Sequence, residues 1–370
     1  RFYSPKSEMG QGIRTGLAQV VAEELNVEFA AIEVLSPDTH QIPPVMVTAG
    51  SRSMKSCFEP VSQAAALLRE TLRERAALRL GVSAASVRDE RGGFVSPDGA
   101  QVTHADLVGD QASIITADLE IGRASPRYAV DRSRELVCIG RSETPVDLEA
   151  IVTGRELYSR DLLVPGMLYG RVLRPPRSGA ALTKANVEAT TRIDAVVEVI
   201  VDQRANRVGV LTDDPSALER ALAAIELEWD GGVVVEQAEL ERELDVERAL
   251  ARDDFEHTAD SDGDPQRAAE AAVHRLRRRY DTPFWAHAAM EPRAGVVSVR
   301  PGNVEVWTAS QDPWYMEGLV AKVTGRRRQE VILHNLRMGG AFGGRKRCQA
   351  TLEAAWLSSA VGRPVRVLWS

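Results

Sequence analysis

Three stretches of this sequence combine glycine with small polar residues, a composition typical of loops whose backbone approaches an anion. The first is EMGQGIRTGL, where Gly10, Gly12 and Gly16 lead into a helical pattern. Free N–H groups at a helix N-terminus favour a phosphate. A dinucleotide-binding unit needs a buried strand just before its glycine turn, and RFYSPKSE does not have the composition of one. By itself, this loop therefore indicates a plain turn more strongly than a binding site.

The other two stretches lie far apart in the chain. TAGSRS, residues 48–53, offers hydroxyls and backbone N–H groups that suit an anion, but that equally suit the capping of a following helix. RMGGAFGGRKR, residues 337–347, places four glycines around Ala341 and Phe342. Glycines in that number within a strand-rich region usually mark the close approach of another group, although a flexible hairpin is the alternative.

Polar residues beside prolines are the remaining candidates. Gln311, in WTASQDPW, lies where a strand breaks at Pro313. In AHAAMEP, the flanking alanines predict a packed interior position for His287, and Glu291 is predicted to be a buried hydrogen-bond partner. The sequence has no Ser-His-Asp spacing, H-E-x-x-H motif or P-loop.

The bulk composition excludes several classes of protein. The chain has 370 residues and a formal net charge of -7, which argues against nucleic-acid binding. No apolar run has the length of a membrane span. The three cysteines, Cys57, Cys138 and Cys348, are too few and too scattered for a disulfide framework, a zinc site or an iron–sulfur cluster. We therefore predict no metal ligands on this chain, and iron–sulfur chemistry would require another chain.

Periodicity predicts an α+β fold in which the elements position these loops. A helix is expected from Gly16 to Leu25, a strand from Ala31 to Leu35, and a long helix that Gly81 stops. A further helix is expected near Tyr315 to Thr324. The predicted segments are 1–121, a linker at 122–147, a small α+β unit at 148–235, an acidic linker at 236–267, and a strand-rich segment at 268–370.

Two stretches carry more specific predictions. SALERALAAIELEW, within the second segment, has helical spacing of its apolar residues. VHRLRRRYDTPFWAHAAMEPRAGVVSVR, at the start of the last segment, is predicted to be rich in strand. The chain begins at Arg1 rather than Met and ends in the strand-like run RPVRVLWS, so we expect a piece of a longer polypeptide.

Taken together and in this order, the motifs resemble the large subunit of the xanthine oxidase family of molybdenum hydroxylases. The run VDLEAIVTGRELYSRDLLVPGMLYGRVLRPP and the terminal GRPVRVLWS add to the resemblance. Because the MGQG-type loop comes first, the arrangement is similar to the branch of isoquinoline 1-oxidoreductase, nicotinate dehydrogenase and related aldehyde dehydrogenases. The resemblance implies a permuted piece of the last molybdenum-binding domain at 1–121, a small "hammerhead" α/β domain at 148–235, and a truncated first molybdenum-binding domain at 268–370.

The resemblance also implies a cofactor, molybdopterin, which in bacteria is typically molybdopterin cytosine dinucleotide. Gln311 matches a glutamine that hydrogen-bonds an oxygen ligand of molybdenum, and Phe342 matches the loop beneath the metal; these two are the implied catalytic positions. The implied cofactor-binding residues are Met9, Gly10, Gln11 and Gly12, then Gly50, Ser51, Arg52 and Ser53, then Gly340, Ala341, Phe342 and Gly343.

The implied reaction is hydroxylation of an aldehyde or an electron-poor N-heterocycle with oxygen from water. Electrons would pass to [2Fe–2S] clusters on a small partner subunit, and from there to an acceptor such as a cytochrome c or a membrane component. The family's catalytic glutamate lies near the C-terminus of the full subunit and has no match here; neither Glu8 nor Glu291 fits the role. We therefore expect this stretch to be inactive without the remaining C-terminal half.

One departure bears on the substrate. Lys346 stands where purine-oxidising members of the family carry a glutamate, which argues against xanthine, unless Lys346 simply points to solvent. The compartment stays open between cytoplasm and periplasm.

Two other functions compete with this one. An NAD(P)-dependent dehydrogenase would use Gly10 to Gly16, with Asp38 as the contact to the ribose. A non-catalytic binding module would use the glycine loops only as turns. The molybdenum hypothesis carries a structural consequence: the first and third segments must pack together, with Gln11 and Phe342 facing one cleft.

Overall fold

The structure, a computed structural model, describes residues 1–36, 38–108, 136–252 and 262–369. Most of the predicted linker at 122–147, and part of the acidic linker at 236–267, lie outside the described residues. None of the described helices combines the length and the apolar character needed to cross a membrane.

Helices occur in all three predicted segments. The described α-helices are α1 (Ile13–Leu25), α2 (Ser53–Leu80), α3 (His104–Val108), α4 (Leu148–Val152), α5 (Glu188–Thr191), α6 (Leu218–Ala223), α7 (Gln237–Glu243), α8 (Val246–Arg252), α9 (Pro265–Ala271), α10 (Pro313–Thr324) and α11 (Gln349–Val361).

The strands are short and mostly antiparallel. They are β1 (Phe2–Tyr3), β2 (Val34–Leu35), β3 (Arg88–Glu90), β4 (Gly93–Val95), β5 (Gln101–Thr103), β6 (Leu168–Leu173), β7 (Ala181–Asn186), β8 (Val196–Asp202), β9 (Arg207–Thr212), β10 (Glu226–Asp230), β11 (Ala294–Arg300), β12 (Asn303–Thr308), β13 (Val331–Asn335) and β14 (Val365–Leu368). Together with the helices, they confirm the α+β class.

One mixed sheet of seven strands organises the second half of the chain, in the order β13-β12-β11-β14-β6-β9-β8. Strands β6, β8 and β9 come from residues 148–235, whereas β11 to β14 come from residues 268–370. Leu168 and Leu211 of the former therefore share a core with Val306 and Leu333 of the latter. These two segments, separate in the sequence, are one packed unit in this part of the structure.

Helix α11 lies on this sheet at very short range. A methyl group placed on Gly295 of β11 would come within 2.4 Å of the Thr351 hydroxyl and 2.7 Å of its Cα atom. Thr351 also hydrogen-bonds Thr308 of β12, with 2.7 Å between the two hydroxyl oxygens. Strand and helix backbones can approach this closely because residue 295 has no side chain.

The first segment is built on the pair α1 and α2. Gly16 of α1 faces Met54 of α2, because a Cβ atom at residue 16 would lie 2.8 Å from the Met54 methyl carbon. The contact brings the N-terminal ends of both helices side by side. Helix α2 ends at Leu80, where Gly81 adopts a left-handed conformation (φ 68°), so the predicted helix stop is confirmed.

Three predictions of local structure are wrong. The strand expected from Ala31 to Leu35 is limited to β2, because a 3-10 turn occupies Phe29–Ala31. The helix expected in SALERALAAIELEW ends at Ala223, and the second half of the motif forms β10. The alternation of apolar and acidic residues in IELEW has the period of a strand, and pairing with β7 satisfies that alternation.

The third error concerns the run VHRLRRRYDTPFWAHAAMEPRAGVVSVR: its last residues form β11, as predicted, but residues 272–290 have neither helix nor strand. A strand needs a neighbouring backbone, and no backbone–backbone hydrogen bond joins these residues to another described residue. Their large apolar side chains stay exposed: Val273 is 90% exposed, Leu276 87% and Tyr280 89%.

Substitution of Gly295 by alanine is expected to destabilise the protein by about 1–3 kcal/mol, because the added methyl group must displace the α11 backbone at Thr351. Gly318 provides the matched control, since it lies inside α10 and a methyl group added there would meet no atom within 4 Å. There, the same change should stabilise the protein by about 0.5–1 kcal/mol through helix propensity. Urea unfolding of both variants tests the pair, and equal effects would contradict the packing described.

Candidate functional site

The first glycine loop is capped by its own carboxylate. The Glu8 side chain, 3% exposed, accepts hydrogen bonds from Gly10 N (3.0 Å) and Gly12 N (3.1 Å) through Oε1, and from Arg14 N (3.2 Å) through Oε2. A negative charge at this position also complements the dipole of α1. These three N–H groups are therefore already engaged by a carboxylate of the chain itself.

Gln11 is also turned toward its own loop. Its Nε2 donates to Ser7 O (2.8 Å), and its Oε1 accepts from Met9 N (2.7 Å). The Cβ positions of Gly10 and Gly12 meet no atom within 4 Å, so open space lies beside this part of the loop. The loop thus presents a backbone surface whose hydrogen-bonding groups are already largely engaged.

The second loop leads into a helix N-terminus whose cap residue and first turn carry no acidic side chain. The residue before α2, Arg52, makes no capping hydrogen bond, and the first turn of α2 contains no acidic side chain. Gly50 and Ser51 both have positive φ (63° and 53°), a conformation in which consecutive N–H groups can form an anion-binding concavity. A positive side chain beside the positive end of a long helix is unfavourable unless an anion lies nearby. This loop therefore has the electrostatics of an anion site.

The third loop combines a buried anchor with an exposed aromatic ring. Ala341 is 2% exposed and packs with Ala309 and Met338, and Met9 of the first loop packs against this cluster. Phe342, by contrast, is 72% exposed and has a positive φ of 51°, which is uncommon for a residue with a side chain. The Ala341 side chain faces the core, so only its backbone is open to a ligand, whereas the Phe342 ring is accessible.

Gln311 lies at the junction of the second and third loops. Its side chain is buried, with Nε2 donating to Thr48 O (2.9 Å) and Oε1 accepting from Arg345 N (3.1 Å). Its backbone is held as well, because Thr48 N donates to Gln311 O (2.8 Å) and Gln311 N donates to Arg345 O (3.0 Å). The oxygen of the amide is therefore committed to the protein, and Nε2 keeps a second hydrogen beyond its bond to Thr48.

The sheet explains why Gln311 and the third loop meet. Strands β12 and β13 are parallel neighbours, and both segments follow the carboxyl ends of these strands. Parallel strands bring their carboxyl ends to the same edge of the sheet, which is where ligands bind in many α/β folds. Asn335, at the end of β13, spans the gap by accepting from Ser310 N (2.9 Å) and donating to Ser7 Oγ (2.8 Å).

These contacts bring the three loops together. Met338 N donates to Glu8 O (3.0 Å), Ser7 N donates to Thr48 Oγ1 (3.1 Å), and Ser7 Oγ donates to Ser310 O (2.8 Å). The first and third segments therefore pack together, as the sequence predicts.

Glu291 and His287 occupy different environments. Glu291 is buried and receives hydrogen bonds from Ser159, Gly339 and Arg345, which confirms its prediction as a buried hydrogen-bond partner. His287 is exposed, so the predicted packed interior is wrong. Its ring lies against the glycine turn instead, because a Cβ atom on Gly344 would approach its Cγ atom to 2.8 Å. The exposure follows from the lack of strand pairing at 272–290.

Lys346 is exposed at the end of the third loop. Its ammonium group lies 5.1 Å from the centroid of the Tyr315 ring. The side chain thus rests on α10 rather than extending freely into solvent.

Sequence reasoning misses the polar groups that hold the site. It excludes Glu8 as a base but does not identify it as the cap of α1, although an acidic residue two positions before G-x-G and a helix is a signal for that role. It also misses the network of Arg14, Asp147 and Arg337. Asp147 lies 3.8 Å from Arg14 and contacts Arg337, so it ties the start of α1 to the start of the third loop. Residues so far apart in the chain leave no local pattern.

Among the described residues, no three His, Cys, Asp or Glu side chains come close enough together to hold a metal ion. All three cysteines are free and buried, and burial raises the pKa of the Cys138 thiol to about 11.

Comparisons with known proteins agree with this geometry. Two family models, each described as a molybdopterin cofactor-binding domain, match residues 3–132 and 249–370. The B subunit of nicotinate dehydrogenase from Pseudomonas putida is 29% identical over 97% of this chain and 30% of its own length. The beta subunit of isoquinoline 1-oxidoreductase from Brevundimonas diminuta is 25% identical over 99% of this chain and 52% of its own length. A membrane-bound aldehyde dehydrogenase (pyrroloquinoline-quinone) of Gluconacetobacter polyoxogenes is 27% identical over 98% of this chain and 48% of its own length.

The two matched regions are those that the structure packs together, so the chain is a molybdopterin-binding polypeptide. More specifically, it belongs to the molybdenum-binding subunits of the xanthine oxidase family. The chain spans between about a third and about a half of the length of these relatives.

Substitution of Glu8 by alanine is expected to destabilise α1 by about 1–2 kcal/mol, because three N–H groups lose their acceptor and the helix loses a favourable charge. Hydrogen–deuterium exchange of residues 10–16, together with urea unfolding, measures the effect. Glu59, exposed on α2, is the control position for the same substitution. Unchanged exchange at 10–16 in the Glu8 variant would contradict the capping role.

Proposed function

We propose that this chain is the molybdopterin-binding part of an enzyme that hydroxylates an aldehyde or an N-heteroaromatic compound, with water as the source of oxygen. The observation that carries the proposal is the packing of the two matched regions. Met9 of the first lies on the Ala309, Met338 and Ala341 cluster of the second, and Thr48 is hydrogen-bonded to Gln311. The segment at 148–235, between the two, is proposed to be the hammerhead domain.

The donors at this junction suit an anionic, flat cofactor. Backbone next to Gly10, Gly12 and Gly343 faces space in which an added Cβ atom would meet no atom closer than 3.8 Å, so a ligand could approach the chain there. Positive charge comes from Arg52 and from the uncapped end of α2, both of which favour phosphate. We infer that the cofactor phosphates bind at residues 50–53 and that the pterin lies toward the first and third loops.

The individual residues would have distinct tasks. Arg52, Ser51 and Ser53 would hold the anionic end of the cofactor, and the loop around Phe342 would bound the substrate side of the site. Gln311 would orient the cofactor through the free hydrogen of its Nε2, since Thr48 and Arg345 fix its amide plane. When bound, the molybdenum centre supplies the redox chemistry for hydroxylation at a C–H carbon.

The substrate class follows from the relatives and one residue. The relatives are named for nicotinate, isoquinoline and an aldehyde, so we propose the same two chemical classes here. Lys346, exposed beside the third loop, replaces the glutamate that the family uses for purines, which supports a substrate other than xanthine. A small subunit with [2Fe–2S] clusters is the proposed electron acceptor, and molybdopterin cytosine dinucleotide is the proposed cofactor form.

The NAD(P) alternative is disfavoured by Glu8. A dinucleotide bound at Gly10 to Gly16 would place its pyrophosphate where the Glu8 carboxylate already accepts three N–H groups. The strand before the loop, β1, has two residues and pairs only with β2, so no larger parallel sheet supports such a site among the described residues. Asp38, the supposed ribose contact, accepts hydrogen bonds from His40 N and Gln41 N.

Metal and nucleotide analysis of the full-length protein, purified with its associated subunits from a host that makes the cofactor, tests the proposal. We expect stoichiometric molybdenum and release of CMP on acid treatment. Bound NAD(P) without molybdenum would favour the dehydrogenase alternative. A protein that binds neither molybdenum nor NAD(P) would favour a non-catalytic module.

Replacement of Arg52 by glutamine is expected to weaken cofactor retention about tenfold or more, because a charge-assisted hydrogen bond is worth about 1.5–3 kcal/mol. The measurement is the molybdenum content per chain after extensive dialysis. Arg88, exposed on β3 in a separate sheet, is the control for loss of one positive charge. If both variants retain molybdenum equally, the phosphates do not bind at residues 50–53.

A further inference from the structure

We propose that Glu291 is a positioning residue that, with Arg345, fixes the loop at residues 339–345 and, through it, the side chain of Gln311. The inference rests on the proposed function in one respect only, namely that this loop belongs to the cofactor-binding site.

The Glu291 carboxylate holds both ends of the loop at once. Its Oε2 accepts from Gly339 N (2.8 Å) at the start of the loop and from Arg345 Nη1 (2.8 Å) at its end. Its Oε1 accepts from Ser159 Oγ (2.8 Å), which anchors the pair to the segment that precedes β6. Arg345 adds a contact from Nη2 to the backbone carbonyl of Glu291. The two side chains are 4% and 2% exposed, so the pair lies in a region without competing water.

The loop between these anchors has little internal structure. Gly340, Phe342 and Gly343 have positive φ values of 100°, 51° and 92°, and the hydrogen bond from Gly344 N to Ala341 O (2.8 Å) closes one turn. A backbone of this kind forms no regular ladder, so its shape depends on what holds its ends. The buried ion pair supplies that hold.

Arg345 carries the effect to Gln311. The Arg345 N–H donates to Gln311 Oε1 (3.1 Å), and the Arg345 carbonyl accepts from Gln311 N (3.0 Å). Glu291 thus holds the guanidinium of Arg345, and the backbone of Arg345 holds Gln311. Displacement of this one residue would therefore move both predicted catalytic positions, Gln311 and Phe342.

A purely stabilising role makes a different prediction. Buried ion pairs can often be replaced by apolar side chains of similar volume without loss of stability. If Glu291 and Arg345 only stabilise the fold, the double variant E291L/R345M should behave like the original protein. If they position the loop, the double variant can regain stability, but Gly339 N still lacks its acceptor.

The experiment compares E291Q, E291L/R345M and E24Q in the full-length protein. Glu24 forms a buried ion pair with Arg69, also at 2.8 Å, on helices α1 and α2, so E24Q controls for the loss of a buried carboxylate elsewhere. The readouts are urea unfolding and hydrogen–deuterium exchange of peptides covering residues 336–348. We expect E291Q and the double variant to raise exchange in this loop about tenfold or more. E24Q should lower stability but leave the loop exchange unchanged.

Two results would overturn the positioning role: unchanged loop exchange in E291Q, or a double variant with both original stability and original loop exchange. Molybdenum content, measured on the same samples, separates this proposal from the proposed function. Faster exchange in the loop with an unchanged molybdenum content would support the positioning role of Glu291 and Arg345, but it would contradict the assignment of the loop to the cofactor site. Faster exchange with loss of molybdenum would support both.

Discussion

The described structure depends on a small set of buried hydrogen bonds between residues about three hundred positions apart. Ser7 donates to the carbonyl of Ser310, and Asn335 bonds to both. Each bond is modest, but a separation of the two segments would leave several buried donors and acceptors unpaired, which costs far more than one bond gains. The entropy of closing so long a loop rises only slowly with its length. The first and the last segments of the chain are therefore held together as one packed unit.

The N-termini of the adjacent helices α1 and α2 have different electrostatic roles. The first turns of α1 and α2 lie side by side, with Gly16 against Met54, and both helices follow glycine loops. The first carries its own anion, Glu8, and the second carries a cation, Arg52, and no acidic side chain in its first turn. An internal carboxylate removes the need for a ligand, whereas a cation at an uncapped end increases it. Glycine content alone does not distinguish these two cases; the charge of the neighbouring residue does.

The sequence predicts features that arise from local pattern. The C-terminal ends of α1 and α2 and the helix after Asp312 follow from glycines, proline and apolar periodicity. The close packing of the motif loops is predicted only by the resemblance to the family. It does not predict features that depend on distant partners. Glu8 as a cap, the union of 148–235 with 268–370 in one sheet, and the absence of strand pairing at 272–290 each depend on which backbone lies nearby, and that is decided by the tertiary fold.

The position of the site at the end of β12 and β13 explains why buried charge and exposed glycine occur together there. Loops that meet a ligand must leave their backbone uncovered, so they lose the packing that would normally fix their shape. Rigid strands fix each loop only at its start, directly after Thr308 and Asn335. Beyond the strand ends, the shape of each loop must be fixed by contacts beneath it, where water is excluded and a charge pair has strong directional hydrogen bonds. Glu291 and Arg345 lie at that depth, and Phe342, only three residues away from Arg345, is exposed.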